Sequence, residues 1–154
     1  MLRRPRAIAS AEGRLYVSDY ERFRIAVFSL TGEFMFNIGG RETSVGRLHS
    51  PFGIAIFGSR LIVAEGTNCD GRPCSGNADI QRWERMQRRL RVLSLDGAEL
   101  HLLRPLDPMS VEPRGLCASG GHLYLADKKG HTIHIFSFIG WRDAQSRSSD
   151  LPSQ

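Results

Sequence analysis

The chain repeats itself three times, and that repeat limits what it can fold into more than any other feature. The copies begin Pro5-Arg-Ala-Ile-Ala, Pro51-Phe-Gly-Ile-Ala and Pro113-Arg-Gly-Leu-Cys. An acidic residue stands 14 positions after each proline, as Asp19, Glu65 and Asp127. A glycine stands 27 positions after the first and third prolines, as Gly32 and Gly140. In the middle copy Gly97 falls 46 positions after Pro51, so one insertion of 19 residues accounts for the mismatch. Content agrees with spacing. Leu15-Tyr-Val-Ser-Asp19 corresponds to Leu61-Ile-Val-Ala-Glu65 and Leu123-Tyr-Leu-Ala-Asp127. Arg24-Ile-Ala-Val-Phe-Ser-Leu30 corresponds to Arg89-Leu-Arg-Val-Leu-Ser-Leu95 and Thr132-Ile-His-Ile-Phe-Ser-Phe138.

Each copy reads as short strands rich in Ile, Val, Leu, Tyr and Phe, bounded by turns that contain glycine. In the first copy the expected strands lie near Ala7–Ser10, Leu15–Asp19, Arg24–Leu30 and Glu33–Ile38. Ala11-Glu-Gly13, Gly58-Ser-Arg60 and Ser119-Gly-Gly121 supply the first hairpin of each copy, and Thr31-Gly32 and Asp96-Gly97 the third. The strands are apolar on both faces, as suits sheets packed between two neighbours. A four-stranded meander recurring every ~40–50 residues is the mark of propeller blades.

The wording Pro-x-Gly-Ile-Ala, Leu-Tyr-Val-x-Asp and Arg-Ile-x-Val-Phe before a glycine turn resembles the NHL repeat family, over about residues 5–140. The resemblance implies an all-β fold, a partial β-propeller of about three four-stranded antiparallel blades with the third incomplete. The blades are expected at about 5–50, 51–112 and 113–140, with an insertion at 66–88 and a polar, disordered tail at 141–154. Propellers of this family commonly have six blades, and closed propellers need at least about four. The chain is therefore expected to be part of a larger propeller, or to self-associate so that copies close a ring.

In a meander, loops two strands apart share an end of the sheet. The second-to-third-strand loops and the connections between blades thus lie together, and long loops on a rigid scaffold are where binding sits. These loops hold ten Lys or Arg and seven Asp or Glu, a mild basic bias. Within the insertion, Ala78–Arg89 lacks Gly and Pro and has the length of about three helical turns. Ile80 and Trp83 share one face, with Arg82, Arg85 and Arg88 elsewhere. One reading is a basic, aromatic finger for phosphates and bases; the other, favoured by base rate, packs Ile80 and Trp83 on the propeller rim. Candidate binding residues are Arg82, Trp83, Arg85, Arg88, Lys128, Lys129 and His131. Asp19 with Arg24, and Glu65 with Arg89, are expected as structural ion pairs across a hairpin. Thr132 breaks that pattern in the third copy.

The remaining chemistry is sparse. Net charge is +5, which permits nucleic acid or acidic partners without demanding them. Of the three cysteines, Cys69 and Cys74 offer two ligands where structural zinc needs four, and Cys117 is expected to be buried in an inner strand. The inner strands, read as Ala7-Ile-Ala-Ser, Gly53-Ile-Ala-Ile and Gly115-Leu-Cys-Ala, carry no His, Asp or Glu. His131 and His134 are expected on a solvated hairpin edge. No catalytic residues, metal or cofactor are expected. The chain reads as a non-catalytic scaffold for a protein or peptide. RNA binding through the basic loop face is the first alternative. The second is a fragment of an NHL-like lyase or hydrolase whose active site lies outside this chain. No signal peptide or run of about 18 apolar residues is present, so the expectation is cytoplasmic by default, with no membrane partner.

Overall fold

Period-two patterning of apolar residues, cut by glycine turns, produces strands throughout the described parts of the chain. The computed structural model describes residues 1–40, 48–66, 89–103 and 111–137. Strands β1 (Pro5–Ala11), β2 (Arg14–Asp19), β3 (Arg24–Ser29) and β4 (Phe34–Gly39) form the first sheet. Strands β5 (Pro51–Phe57), β6 (Arg60–Glu65), β7 (Arg89–Ser94) and β8 (Glu99–Leu103) form the second. Strands β9 (Pro113–Ser119), β10 (His122–Asp127) and β11 (Thr132–Ser137) form a third with three strands among the described residues. All pairings are antiparallel between consecutive strands, so each sheet is a meander.

The sheets stack as blades, with β1 against β5 and β5 against β9. Alternation then sends successive side chains to opposite neighbours. From the middle sheet, Ile54, Leu61, Val63 and Leu93 meet Tyr16, Ile25, Val27 and Ile38 of the first. Ala55, Ile62, Leu90 and Val92 meet Leu123 and Leu125 of the third. Buried polar links cross the first of these interfaces. The Tyr16 hydroxyl donates to the Leu95 carbonyl at 3.2 Å, and Ser18 Oγ donates to the Phe52 carbonyl at 2.8 Å.

Two-sided burial holds only for the middle sheet. The outer face of the first sheet exposes Ile8 (63%) and Phe34, and that of the third exposes Ile133 (68%) and Ile135. Cys117 is exposed rather than buried, because it points from β9 away from the middle sheet. The insertion residues Cys69, Cys74, Ile80, Arg82, Trp83, Arg85 and Arg88, and the tail 141–154, lie outside the described residues. No helix among the described residues is long and apolar enough to cross a membrane.

Candidate functional site: a cationic cleft over the inner strands

Proline lacks an N–H, so it is tolerated at the first position of a strand. Pro5, Pro51 and Pro113 each open an inner strand and pair with the acidic residue that ends the next strand: Asp19, Glu65 and Asp127. The register then shifts in all three blades, between Pro5 and Ile8, Pro51 and Ile54, and Leu125 and Asp127. Such irregularities re-aim side chains. Here they bring the residue after each proline, Arg6, Phe52 and Arg114, to one shared cleft.

The acidic residues hold this arrangement from below. Asp19 Oδ1 accepts the N–H groups of Arg3 and Arg4, both at 3.0 Å, while Oδ2 takes Arg24 Nε and Nη2 at 3.2 Å. Glu65 accepts the His49 N–H at 2.9 Å and pairs with Arg89. Asp127 accepts the Glu112 N–H at 2.8 Å and the Lys129 N–H at 3.0 Å. Each carboxylate thus ties the incoming connection to the end of its own blade. In the third copy His134 Nε2 stands 3.2 Å from Asp127 Oδ2, so histidine replaces the arginine of the other blades. His134 is therefore half-buried and stacked on Phe136, not on a solvated edge. Burial pushes the Asp127 carboxyl up, but the N–H groups of Glu112 and Gly130, the His134 side chain and the Lys129 N–H together hold it below the usual range. Its stabilisation is complete above the unfolded carboxyl pKa and lost as pH falls through the lowered folded value.

The cleft measures about 620 Å³ and is lined by Arg6, Ala7 and Ile8 of β1, Phe52, Gly53 and Ile54 of β5, Arg114, Gly115 and Leu116 of β9, and Lys128. Phe52 forms its floor, and Tyr20 packs against that ring. Tyr20 and Phe52 lie with centroids 4.8 Å apart, only 2% and 5% exposed. Guanidinium groups cover them: Arg4 and Arg6 sit 5.4 and 5.1 Å from the Tyr20 centroid, and Arg6 and Arg114 sit 5.7 and 3.8 Å from that of Phe52. Each contact stabilises by roughly 0.5–2 kcal/mol, more where water is excluded. A guanidinium lying on a ring keeps its N–H edge available for a planar anion. Glu112 pairs with Arg114 and lies 3.8 Å from Lys128 Nζ. Arg114 Nε is buried without a hydrogen-bond partner.

Two glycines make room for the floor. A Cβ on Gly53 would lie 2.4 Å from the Arg114 carbonyl oxygen, so β5 and β9 approach closely only because no side chain is there. A Cβ on Gly66 would lie 2.8 Å from the Phe52 ring, which occupies that space instead.

Of the residues expected from sequence to bind, Lys128 lines the cleft. Lys129 and His131 lie in the β10–β11 turn outside the lining, the former engaged through its N–H and the latter in a left-handed conformation (φ 52°). Arg6, Phe52, Arg114 and Glu112 were not anticipated. The signal was present in the second position of each repeat, one residue before the point from which the inner strands were read.

The NHL repeat family model matches residues 2–28 and 111–136, which take in all but the last residue of β1–β3 and of β9–β11. The first and third blades thus match the NHL repeat, and the stacked four-stranded meanders are those of a β-propeller. Among solved structures, the chain is similar to virginiamycin B lyase from Staphylococcus aureus (14% identity, TM-score 0.60, 87% of this chain and 38% of that one). It is similar to a chain of a nidogen/laminin complex (18%, TM-score 0.56, 88% and 44%) and to the Pan2 WD40 domain from Neurospora crassa (14%, TM-score 0.57, 92% and 35%). At these identities the likeness shows the propeller fold alone. The chain spans less than half the length of each of these structures. No curated protein matches the sequence.

Proposed function

We propose that this NHL-repeat chain is a non-catalytic interaction scaffold that binds a protein or peptide at the end of the blades where the inter-blade connections arrive. The observation that carries this reading is the convergence of Arg6, Phe52 and Arg114, one from each blade, on a single cleft. Equivalent repeat positions are brought together only by blade stacking, so the cleft is a property of the assembled arc. Its lining offers charge and shape but no acid–base pair, and among the described residues no three His, Cys, Asp or Glu side chains gather as metal ligands would. The nidogen/laminin complex supports a protein partner by analogy of fold. The exposed isoleucines of the outer faces support a second part of the proposal, that copies of the chain associate through those faces.

The test is selection of peptides from a displayed random library against the purified full chain, followed by hydrogen-exchange mapping of the binders. Protection at residues 6–8, 52–54, 114–116 and 128 is expected. Binders that protect only the outer sheet faces, or a library that yields none, would sink the reading. RNA binding is the less favoured alternative, because Tyr20 and Phe52 are buried and leave no ring face on which a base could stack.

A further inference from the structure

We infer that the cleft is a carboxylate clamp for acidic peptides, with Glu112 as its resident internal competitor; this deepens the scaffold reading and rests on it. Three observations lead there. First, Arg6, Arg114 and Lys128 line the cleft, whereas Glu112 is the carboxylate among the described residues that touches any of them, leaving a surplus of two positive charges. Second, the guanidiniums of Arg6 and Arg114 both lie over Phe52, 5.7 and 3.8 Å from its centroid, and a guanidinium gathered there can donate in pairs from its edge, the geometry a carboxylate accepts. Third, Arg114 Nε is buried and unsatisfied, although buried donors nearly always find a partner. An arriving carboxylate supplies what Arg6 and Arg114 lack, and it competes with Glu112 for Arg114 and Lys128.

The cleft favours an acidic side chain on a peptide over a nucleic-acid backbone. A phosphate chain needs a track of cations and stacking rings. Here the cations are gathered at one point, the rings lie beneath them, and Glu112 repels a continuous polyanion at close range.

The experiment measures fluorescence anisotropy of a labelled Glu-Gly repeat peptide with the full chain at low salt, beside its Gln-Gly counterpart and an oligouridylate. The Gln-Gly peptide should bind at least roughly tenfold more weakly, since hydrogen bonds to charged groups are the strong ones. Arg6→Gln, an exposed change that leaves the core intact, should weaken the Glu-Gly peptide by a similar factor. Glu112→Gln should tighten it several-fold by freeing Arg114 and Lys128, an effect that a purely structural Glu112 would not give. Equal affinity for the Gln-Gly peptide, no change with Arg6→Gln, or weakening with Glu112→Gln would each overturn the clamp. Oligouridylate binding as tight as the Glu-Gly peptide and equally sensitive to Arg6→Gln would overturn it in favour of a phosphate ligand. If displayed peptides still map to this end of the blades but show no acidic preference, the scaffold reading stands and the clamp alone falls.

Discussion

Gly53 and Gly115 occupy the same position of the repeat, two residues after Pro51 and Pro113, yet alanine should be costly at the first site and nearly neutral at the second. Neither has a left-handed backbone, so alanine introduces no conformational strain, and the comparison isolates packing. At Gly53 the new Cβ would lie 2.4 Å from the Arg114 oxygen, 2.7 Å from the Leu116 nitrogen and 2.9 Å from the Gly115 carbonyl carbon. All three are backbone atoms, so no side chain can rotate away; β5 and β9 must separate by roughly 1 Å to restore van der Waals distances of about 3.5 Å. A gap of that size forfeits a quarter to a half of each dispersion well across the interface. Ala55 and Ile62 against Leu123 and Leu125 would lose contact together.

The expected cost of Gly53→Ala is therefore at the upper end of the overpacking range, about 3 kcal/mol. For a chain of this length that is a melting shift of roughly 6–12 °C. At Gly115 the new Cβ would meet the Ala126 Cβ at 3.6 Å, an ordinary contact on the outer face of the third sheet, so Gly115→Ala should change stability by less than about 0.5 kcal/mol. Chemical and thermal unfolding of both variants, followed by circular dichroism, measures the difference. Equal effects at the two positions would refute the argument. A large cost at Gly115 alone would mean that another sheet lies against β9 in solution as β9 lies against β5.

Other consequences follow from single groups. Burial first, then the charges of Arg89 and Arg91, push the His49 imidazole down to about 4. The folded chain then binds fewer protons than the unfolded one between the ordinary histidine value and that figure. Stability should fall as pH drops through this window, by about 1–2 kcal/mol after discounting for partial solvent screening. His49→Gln should gain on the parent in urea midpoint as pH falls from 7 to 4; a constant difference would show that His49 does not titrate this way. Tyr16→Phe should cost about 1–2 kcal/mol by leaving the buried Leu95 carbonyl unpaired, read from denaturant unfolding, and no loss would mean that the bond does not link the blades. If copies associate through the outer faces, light scattering of the chain should give a discrete oligomer that Ile135→Glu reduces to a monomer, whereas an unchanged mass would reject those faces as the contact.

Strand positions were legible because the residues that punctuate them act locally. Proline opens each inner strand, glycine turns the hairpins, and the observed β3 at Arg24–Ser29 differs from its expected span by one residue. The blade stack was legible because the repeat carries its own register. What failed was anything that depends on which neighbour is present. Alternation shows that Cys117 and Leu116 face opposite ways, but not that the side Cys117 faces is open. Likewise, Thr132 stands at the arginine position of the third copy, and the partner of Asp127, His134, lies two residues further along.

The cleft was missed for a related reason, and that reason bears on its function. In the repeat, the position two residues after the proline faces the next blade where one is present: Ala7 packs at the first interface, and Gly53 is held small by close approach of β9. The position 14 residues after it is constrained by the clamp on the incoming connection, so it is acidic in all three copies. The position directly after the proline answers to neither demand: its side chain turns to the cleft, where Arg6 is exposed and Phe52 is buried against Tyr20. The chain places arginine, phenylalanine and arginine there in stacking order, so that the ring of the middle blade carries a guanidinium from each neighbour. Two cations drawn to one point repel each other, and the adjacent Lys128 adds to that repulsion. Glu112 relieves it for Arg114 and Lys128 and leaves Arg6 without a carboxylate among the described residues. The proposed anion would relieve that repulsion, and its effect should be largest at Arg6, which is exposed.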